Sequence, residues 1–118
     1  MSATERAGPP DLTDDQRRAA LVKAAEARQI RAEIKEQLKR GDLLLNDLLL
    51  RSDNEPVVGR LKVLSMLEAM PGTGKVRARH IMRALDISER RRLKGLGRQQ
   101  RAGLLAHFTN EKQSRDHD

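Results

Sequence analysis

The chain has 118 residues, 37% hydrophobic and 35% charged, with a net charge of +7, one Phe, and no Trp, Tyr or Cys. That length and apolar content suit one domain with a modest core and leave no room for a multidomain enzyme. Without Cys there are no disulfides, no thiolate catalysis and no Cys-ligated zinc, and a reducing cytoplasm is the expected setting.

His80, His107 and His117 are scattered with no metal-ligand spacing, so neither a metal nor any other cofactor is expected. No apolar run approaches the ~20 residues of a membrane span, and the N-terminus lacks signal-peptide character. A soluble intracellular protein without membrane contact is expected. The charge is unevenly spread: residues 1–59 hold 10 Lys/Arg against 11 Asp/Glu, and residues 60–118 hold 14 against 6. Such asymmetry is the electrostatic footprint of a polyanion binder.

In chain order, residues 1–11 have the composition of a disordered tail, with Pro9 and Pro10 blocking an early helix. Thr13 and Gln16 form a capping box that opens a long helix of about 27 residues, closed by Gly41. Its apolar positions are Ala20, Ala24, Ala27, Ile34 and Leu38, so the C-terminal half should dock and the N-terminal half project. Its charges, Arg17, Arg18, Arg28 and Arg31 among Asp14, Asp15, Glu26 and Glu33, read first as i,i+4 surface pairs and second as DNA contacts.

A body over 42–108 follows. Asp42 is expected to cap a short apolar helix from Leu43 to about Leu50, and Ser52 to Pro56 to form a turn into another short helix with Pro at its first position. Val63, Met66, Leu67 and Met70 make the buried stripe of a helix ending at Pro71. The next helix, from Gly74, turns Ala78, Ile81, Met82 and Leu85 inward and stacks Lys75, Arg79 and Arg83 on another face. Ser88 is expected to cap a helix from Glu89 to Lys94, broken by Gly95-Leu96-Gly97. A last helix runs from about Arg98 to Phe108 with Leu104, Leu105 and Phe108 buried, and 109–118 form a polar, disordered tail. With no period-two alternation, the expected fold is all-α: a long N-terminal helix and a compact bundle of short ones.

The stretch most informative about function is Met70-Pro71-Gly72-Thr73-Gly74-Lys75-Val76-Arg77. Its glycines let the backbone turn sharply and approach a ligand, and the following helix begins with unpaired N–H groups. These donors and the helix dipole favour an anion. Cations so near a helix start oppose the dipole, and an external anion explains them better. A Walker A loop is excluded because Ala69 and Val76 stand where that loop needs Gly and Ser or Thr, and no strand precedes.

Leu67, Pro71-Gly72-x-Gly74, Ala78 and Ile81 match the helix-hairpin-helix type of DNA-backbone clamp. Together with Gly59-Arg60-Leu61-Lys62-Val63, Arg91-Arg92-Leu93-Lys94-Gly95-Leu96-Gly97 and the capped first helix, the chain resembles the actinobacterial integration host factor family over about residues 12–108. The resemblance implies a nucleoid-associated protein with a helix-two-turns-helix body like part of ribosomal protein S13, unrelated to the β-ribbon integration host factor. It carries DNA-binding positions over to the turn, Met70 to Arg77, and to a lid over Ser88–Gln100 with Arg91, Arg92, Lys94, Gly95, Leu96, Gly97 and Gln99. Lys62, ahead of the hairpin's first helix, is expected to join the phosphate contacts.

The expected function is therefore binding to double-stranded DNA with weak sequence preference, by a monomer whose two basic surfaces bend DNA or bridge two segments. It acts in the cytoplasm, at the nucleoid. Pro71 or Leu96 could wedge between base steps if an arginine enters the minor groove. The nearest rival is a duplex-RNA or ribosome-associated binder, since the near absence of aromatics argues only against stacking on single strands. A repair glycosylase or lyase is disfavoured for want of catalytic residues, and no small-molecule substrate is expected.

Overall fold

The computed structural model describes residues 13–117, with side chains to Phe108. The tail expected over 1–11 lies outside the described residues. Six helices are present among them: α1 (Asp14–Arg40), α2 (Leu45–Asn54), α3 (Pro56–Gly59), α4 (Val63–Ala69), α5 (Gly74–Ala84) and α6 (Arg98–His117). A short 3-10 turn, Leu93–Gly95, lies between α5 and α6. The all-α expectation stands, with one isolated antiparallel bridge, Lys62 to Arg92, as the only strand-like pairing among the described residues.

The 27-residue α1 is bounded as its sequence dictates. Thr13 Oγ1 accepts from the Gln16 amide at 3.0 Å, and the Gln16 side chain accepts from the Thr13 amide at 2.9 Å. At the far end Gly41 takes the left-handed conformation, φ 77°, and the Asp42 amide reaches back to the Gln37 carbonyl at 2.9 Å. This is the Schellman pattern. Only Ile34 and Leu38 of α1 are buried, and residues 14–26 are all exposed, so Ala20 and Ala24 do not dock. Among the described residues the i,i+4 ion pairs expected along α1 are absent, and Gln29 donates to Glu33 at 3.1 Å on its exposed face. Holding two long solvated side chains together there gains too little to offset their lost freedom.

Asp42 does not cap α2, because the helix starts two residues later than expected and Leu44 takes the cap position. The helix begins at Leu45 without a side-chain cap and buries Leu45, Leu48, Leu49 and Ser52 at spacings of three and four. Nor do Ser52 to Asn54 form a turn. Ser52 Oγ donates to the Leu49 carbonyl at 2.7 Å and Asn54 Nδ2 to the Leu50 carbonyl at 2.9 Å, so the polar side chains bond back into the helix and prolong it. Pro56 opens α3 at its first position as expected.

Val58, Val63, Met66, Leu67, Ala78, Met82, Leu93 and Leu104 join Ile34, Leu38, Leu48 and Leu49 in one core, each at most 1% exposed. Leu85, Leu105 and Phe108 pack against it half-buried. α6 continues to His117 instead of ending near Phe108, so the expected boundary between body and tail is not a helix end. The side chains of 109–118 lie outside the described residues.

Replacing fully buried Leu48 by Ala should lower unfolding free energy by about 2–5 kcal/mol in urea titrations. Leu21→Ala, on the projecting half of α1 where Leu21 is 69% exposed, should stay within about 0.5 kcal/mol of the parent.

Candidate nucleic-acid interface

The loop between α4 and α5 is two consecutive turns, with the Met70 amide on the Leu67 carbonyl and the Thr73 amide on the Met70 carbonyl, both at 3.1 Å. The second turn and the entry to α5 need positive φ at Gly72 (75°) and Gly74 (67°), a region costly for residues with a Cβ. No side chain caps α5 and its first turn holds no acidic residue, so the leading amides and the dipole are not compensated by a carboxylate. Lys75 and Val76 are exposed, with Val76 70% accessible at the tip. Thr73 is buried and Met70 half-buried, so these two offer a ligand mainly backbone. Ala78, Ile81 and Met82 anchor α5 on its opposite face. Arg79, on the basic face, lies 3.5 Å from Glu89.

The lid differs from expectation. Residues 89–94 do not form a helix capped by Ser88. Ser88 Oγ accepts from the Arg90 amide at 3.2 Å and its carbonyl from the Arg91 amide at 2.9 Å, making a turn. The chain then extends, with the Val63 amide donating to the Arg91 carbonyl and the Leu93 amide to the Leu61 carbonyl, both at 2.9 Å. A helix through this segment could not make those bonds while sinking Leu93, 1% exposed, into the core.

The flanking bonds make Lys62 and Arg92 a non-hydrogen-bonded antiparallel pair, the closer kind, with Cα atoms about 4.5 Å apart and side chains on one face. Two cations are thus held side by side, an arrangement that is unfavourable on its own. Arg92 Nη1 also donates to the Arg60 carbonyl at 2.9 Å and Arg91 Nη1 to the Gly95 carbonyl at 2.8 Å. A guanidinium has five donors, so both keep most of them available. Among the described residues no carboxylate reaches ion-pair distance of Lys62, Lys75, Arg91, Arg92 or Lys94.

Lys62 therefore sits with the lid and not with the hairpin. It precedes α4, and the hairpin turn follows α4, so the two basic clusters lie at opposite ends of a seven-residue helix about 10 Å long. Leu96 is half-buried under the lid, while Gly97 and Gln99 are exposed.

Residues 38–108 match the S13-like H2TH domain family. The chain is also similar to the Integration host factor proteins of Mycolicibacterium smegmatis and Mycobacterium tuberculosis, each 52% identical over 99 residues that cover 84% of this chain and 94% of the relative. The Integration host factor of Streptomyces coelicolor is 48% identical over 99 residues, covering 84% and 92%. The chain belongs to the integration host factor family.

Among solved structures, sIHF bound to an 8-base-pair palindromic DNA is similar with a TM-score of 0.72 and 46% identity, over 73% of this chain and 97% of that one. The family membership agrees with the architecture of capped α1, helix, two turns, helix. Two features of this member were not expected from its sequence: the pairing of Lys62 with Arg92, and the tethering of the Arg92 guanidinium and of the flanking Arg91 and Leu93 backbone to residues 60–63. The clue available in the sequence was the position of Lys62 just ahead of α4. Among the described residues no group of three His, Asp or Glu could hold a metal, and no helix is long and apolar enough to cross a membrane.

Behind the lid, Arg101 of α6 makes a two-pronged ion pair with Asp53 of α2, at 2.9 and 2.7 Å. The Arg101 hydrogen bonds hold the Asp53 carboxyl below its ordinary 3.8. A depressed carboxylate contributes stability above its unfolded pKa and loses it as pH falls through the folded value. Asp53→Asn should therefore lower the melting temperature at pH 7, and the gap from the parent should close as the pH drops below 3.8. Because the pair is exposed, 0.5 M salt should narrow the gap at pH 7 as well.

Proposed function

We propose that this protein is a nucleoid-associated DNA-binding protein that grips the phosphate backbone of double-stranded DNA through two surfaces, the Met70–Arg77 turn and the lid with Lys62, Arg91, Arg92 and Lys94. The observation that carries this reading is the Lys62–Arg92 pair, two unneutralised cations fixed on one face by backbone hydrogen bonds. A row of phosphates turns that unfavourable contact into a favourable one. At the other end of α4 the glycine-built turn offers amides to a phosphate, with Lys75 alongside. The relatives support the same reading, since they carry the name Integration host factor and a similar solved chain is described as bound to DNA.

The protein acts by binding and not by catalysis. Neither surface presents a helix or ribbon of base-reading side chains, so sequence preference is weak and affinity comes mainly from phosphates. Two clusters on opposite ends of one helix give a monomer the means to bend a duplex around α4 or to bridge two segments. Pro71 and Leu96 are the apolar groups beside each cluster that could enter a base step. The setting that fits is the cytoplasm, at the nucleoid.

Charge reversal tests the reading. With about four to six phosphates neutralised per surface, log affinity should fall with log salt at a slope of roughly −4 to −5 for each surface engaged. Lys75→Glu and Arg91→Glu should each weaken binding to a mixed-sequence duplex and flatten the slope by about 1 or more. Both changes together should abolish binding at 0.15 M salt, and either alone should stop compaction of long DNA where bridging operates. If the double variant binds like the parent, the two-surface proposal is wrong.

An RNA partner is separated by competition. A labelled DNA duplex should be displaced at lower concentration by unlabelled DNA than by an RNA duplex of the same length. Stronger displacement by RNA would replace the DNA reading with the ribosome-like one.

A further inference from the structure

One side chain joins the two ends of the lid. Gln100, in the first turn of α6, donates from Nε2 to the Asp86 carbonyl at 2.7 Å and accepts at Oε1 from the Gly97 amide at 2.9 Å. Residues 86 and 97 bracket the whole segment that carries Arg90, Arg91, Arg92 and Lys94. The contact needs a donor and an acceptor on one side-chain terminus of this reach, which an amide supplies and a carboxylate or an apolar chain does not.

Two further features converge on the same point. Asp86 is the one non-glycine residue with positive φ, 57°, among the described residues, and it stands where the Schellman motif closing α5 normally has Gly. Its amide donates to the Arg83 carbonyl at 3.1 Å and the Ile87 amide to the Met82 carbonyl at 2.7 Å, leaving the Asp86 carbonyl to Gln100. One turn along α6, a Cβ at Gly103 would come within 2.5 Å of Leu85 Cδ2, so α6 is seated unusually close to the residue before Asp86.

We propose that Gln100 is a positioning residue for DNA binding, a clasp that holds the lid closed against its own charge. The inference rests on the lid being a DNA-binding surface. Lys62 against Arg92, like charges paired on one face, pushes the lid away from α4 whenever DNA is absent. The β-bridge holds the middle of the segment and Leu93 sinks it, while Gln100 ties its ends. Without the clasp the free lid samples opened arrangements, and DNA has to reorder it on binding, which lowers the apparent affinity.

The test uses the full chain with Gln100→Ala and the similarly shaped Gln100→Met, well below their melting temperatures. A 20-base-pair mixed-sequence duplex is the probe. Loss of one or two neutral hydrogen bonds corresponds to about tenfold weaker binding. That loss should be non-additive with Arg91→Ala, whose lid contact is then already gone, and additive with Lys75→Ala on the other surface. Amide exchange at Val63, Leu93 and Gly95 should accelerate in the free protein by about tenfold, a readout independent of DNA.

Parent-like exchange in both variants overturns the clasp whatever happens to affinity. Parent-like affinity in the Gln100 variants, with Arg91→Ala weakened, overturns its role in binding. Parent-like affinity in Arg91→Ala and Arg92→Ala instead sinks the lid reading, and the exchange data then still decide whether Gln100 holds the segment.

Discussion

The paired backbone of residues 61–63 and 91–93 is the constraint on which the proposed DNA-binding lid depends. Two hydrogen bonds are enough to turn a run of arginines from a loop into a fixed face. They do so because Leu93 is drawn into the core on one side of the pair and Leu61 and Val63 on the other. Burial sets the register, register decides which residue faces Lys62, and the residue that faces it is Arg92. A slip of one position would exchange inner and outer side chains, exposing Leu93 and burying an arginine. The charge cluster is therefore a consequence of apolar packing, and the repulsion within it is sustained by the core.

The same logic explains what could be read from sequence. Features written in contiguous residues were legible: the Thr13–Gln16 capping box, the left-handed Gly41, Pro56 opening α3, and the glycines of the hairpin turn. Each rests on interactions reaching three to five residues. The buried faces of α4 and α5 were legible too, because they follow a 3.6-residue period. Three local expectations failed where a polar residue had more than one arrangement open to it. Asp42 could cap a helix starting at Leu43, but α2 starts at Leu45 with Leu44 at the cap position. Ser52 and Asn54 could make a turn or bond back into α2. Ser88 could cap a helix or shape a turn.

The lid was beyond local reasoning altogether. A single bridge between residues thirty positions apart leaves no alternation to detect, and an Arg-rich stretch after a serine satisfies helix propensity well. Only the requirement that Leu93 reach a core shared with α2 and α3 overrides that propensity. Lys62, expected among the phosphate contacts from its place ahead of α4, is paired with Arg92 of the lid segment, while Thr73 is buried and Met70 half-buried. Gln99 was singled out while its neighbour Gln100 makes the organising contacts, a distinction set by which residue of the first turn of α6 faces Asp86.

α1 shows the limit of what packing explains. Its first half has no tertiary burial, yet an isolated helix of that length is marginal in water. Two things sustain it. Ile34 and Leu38 fix the C-terminal half to α3 and α4, so the costly nucleus is already formed and the remaining turns only propagate. Ala-rich composition favours propagation, and Asp14 and Asp15 at the start with Lys39 and Arg40 at the end complement the dipole. The outcome is a solvated arm carrying Arg17, Arg18, Arg28 and Arg31 without ion-pair partners among the described residues. Its direction is inherited from α4, the same helix whose two ends carry the hairpin and the lid. Movement of α4 would therefore shift all three together.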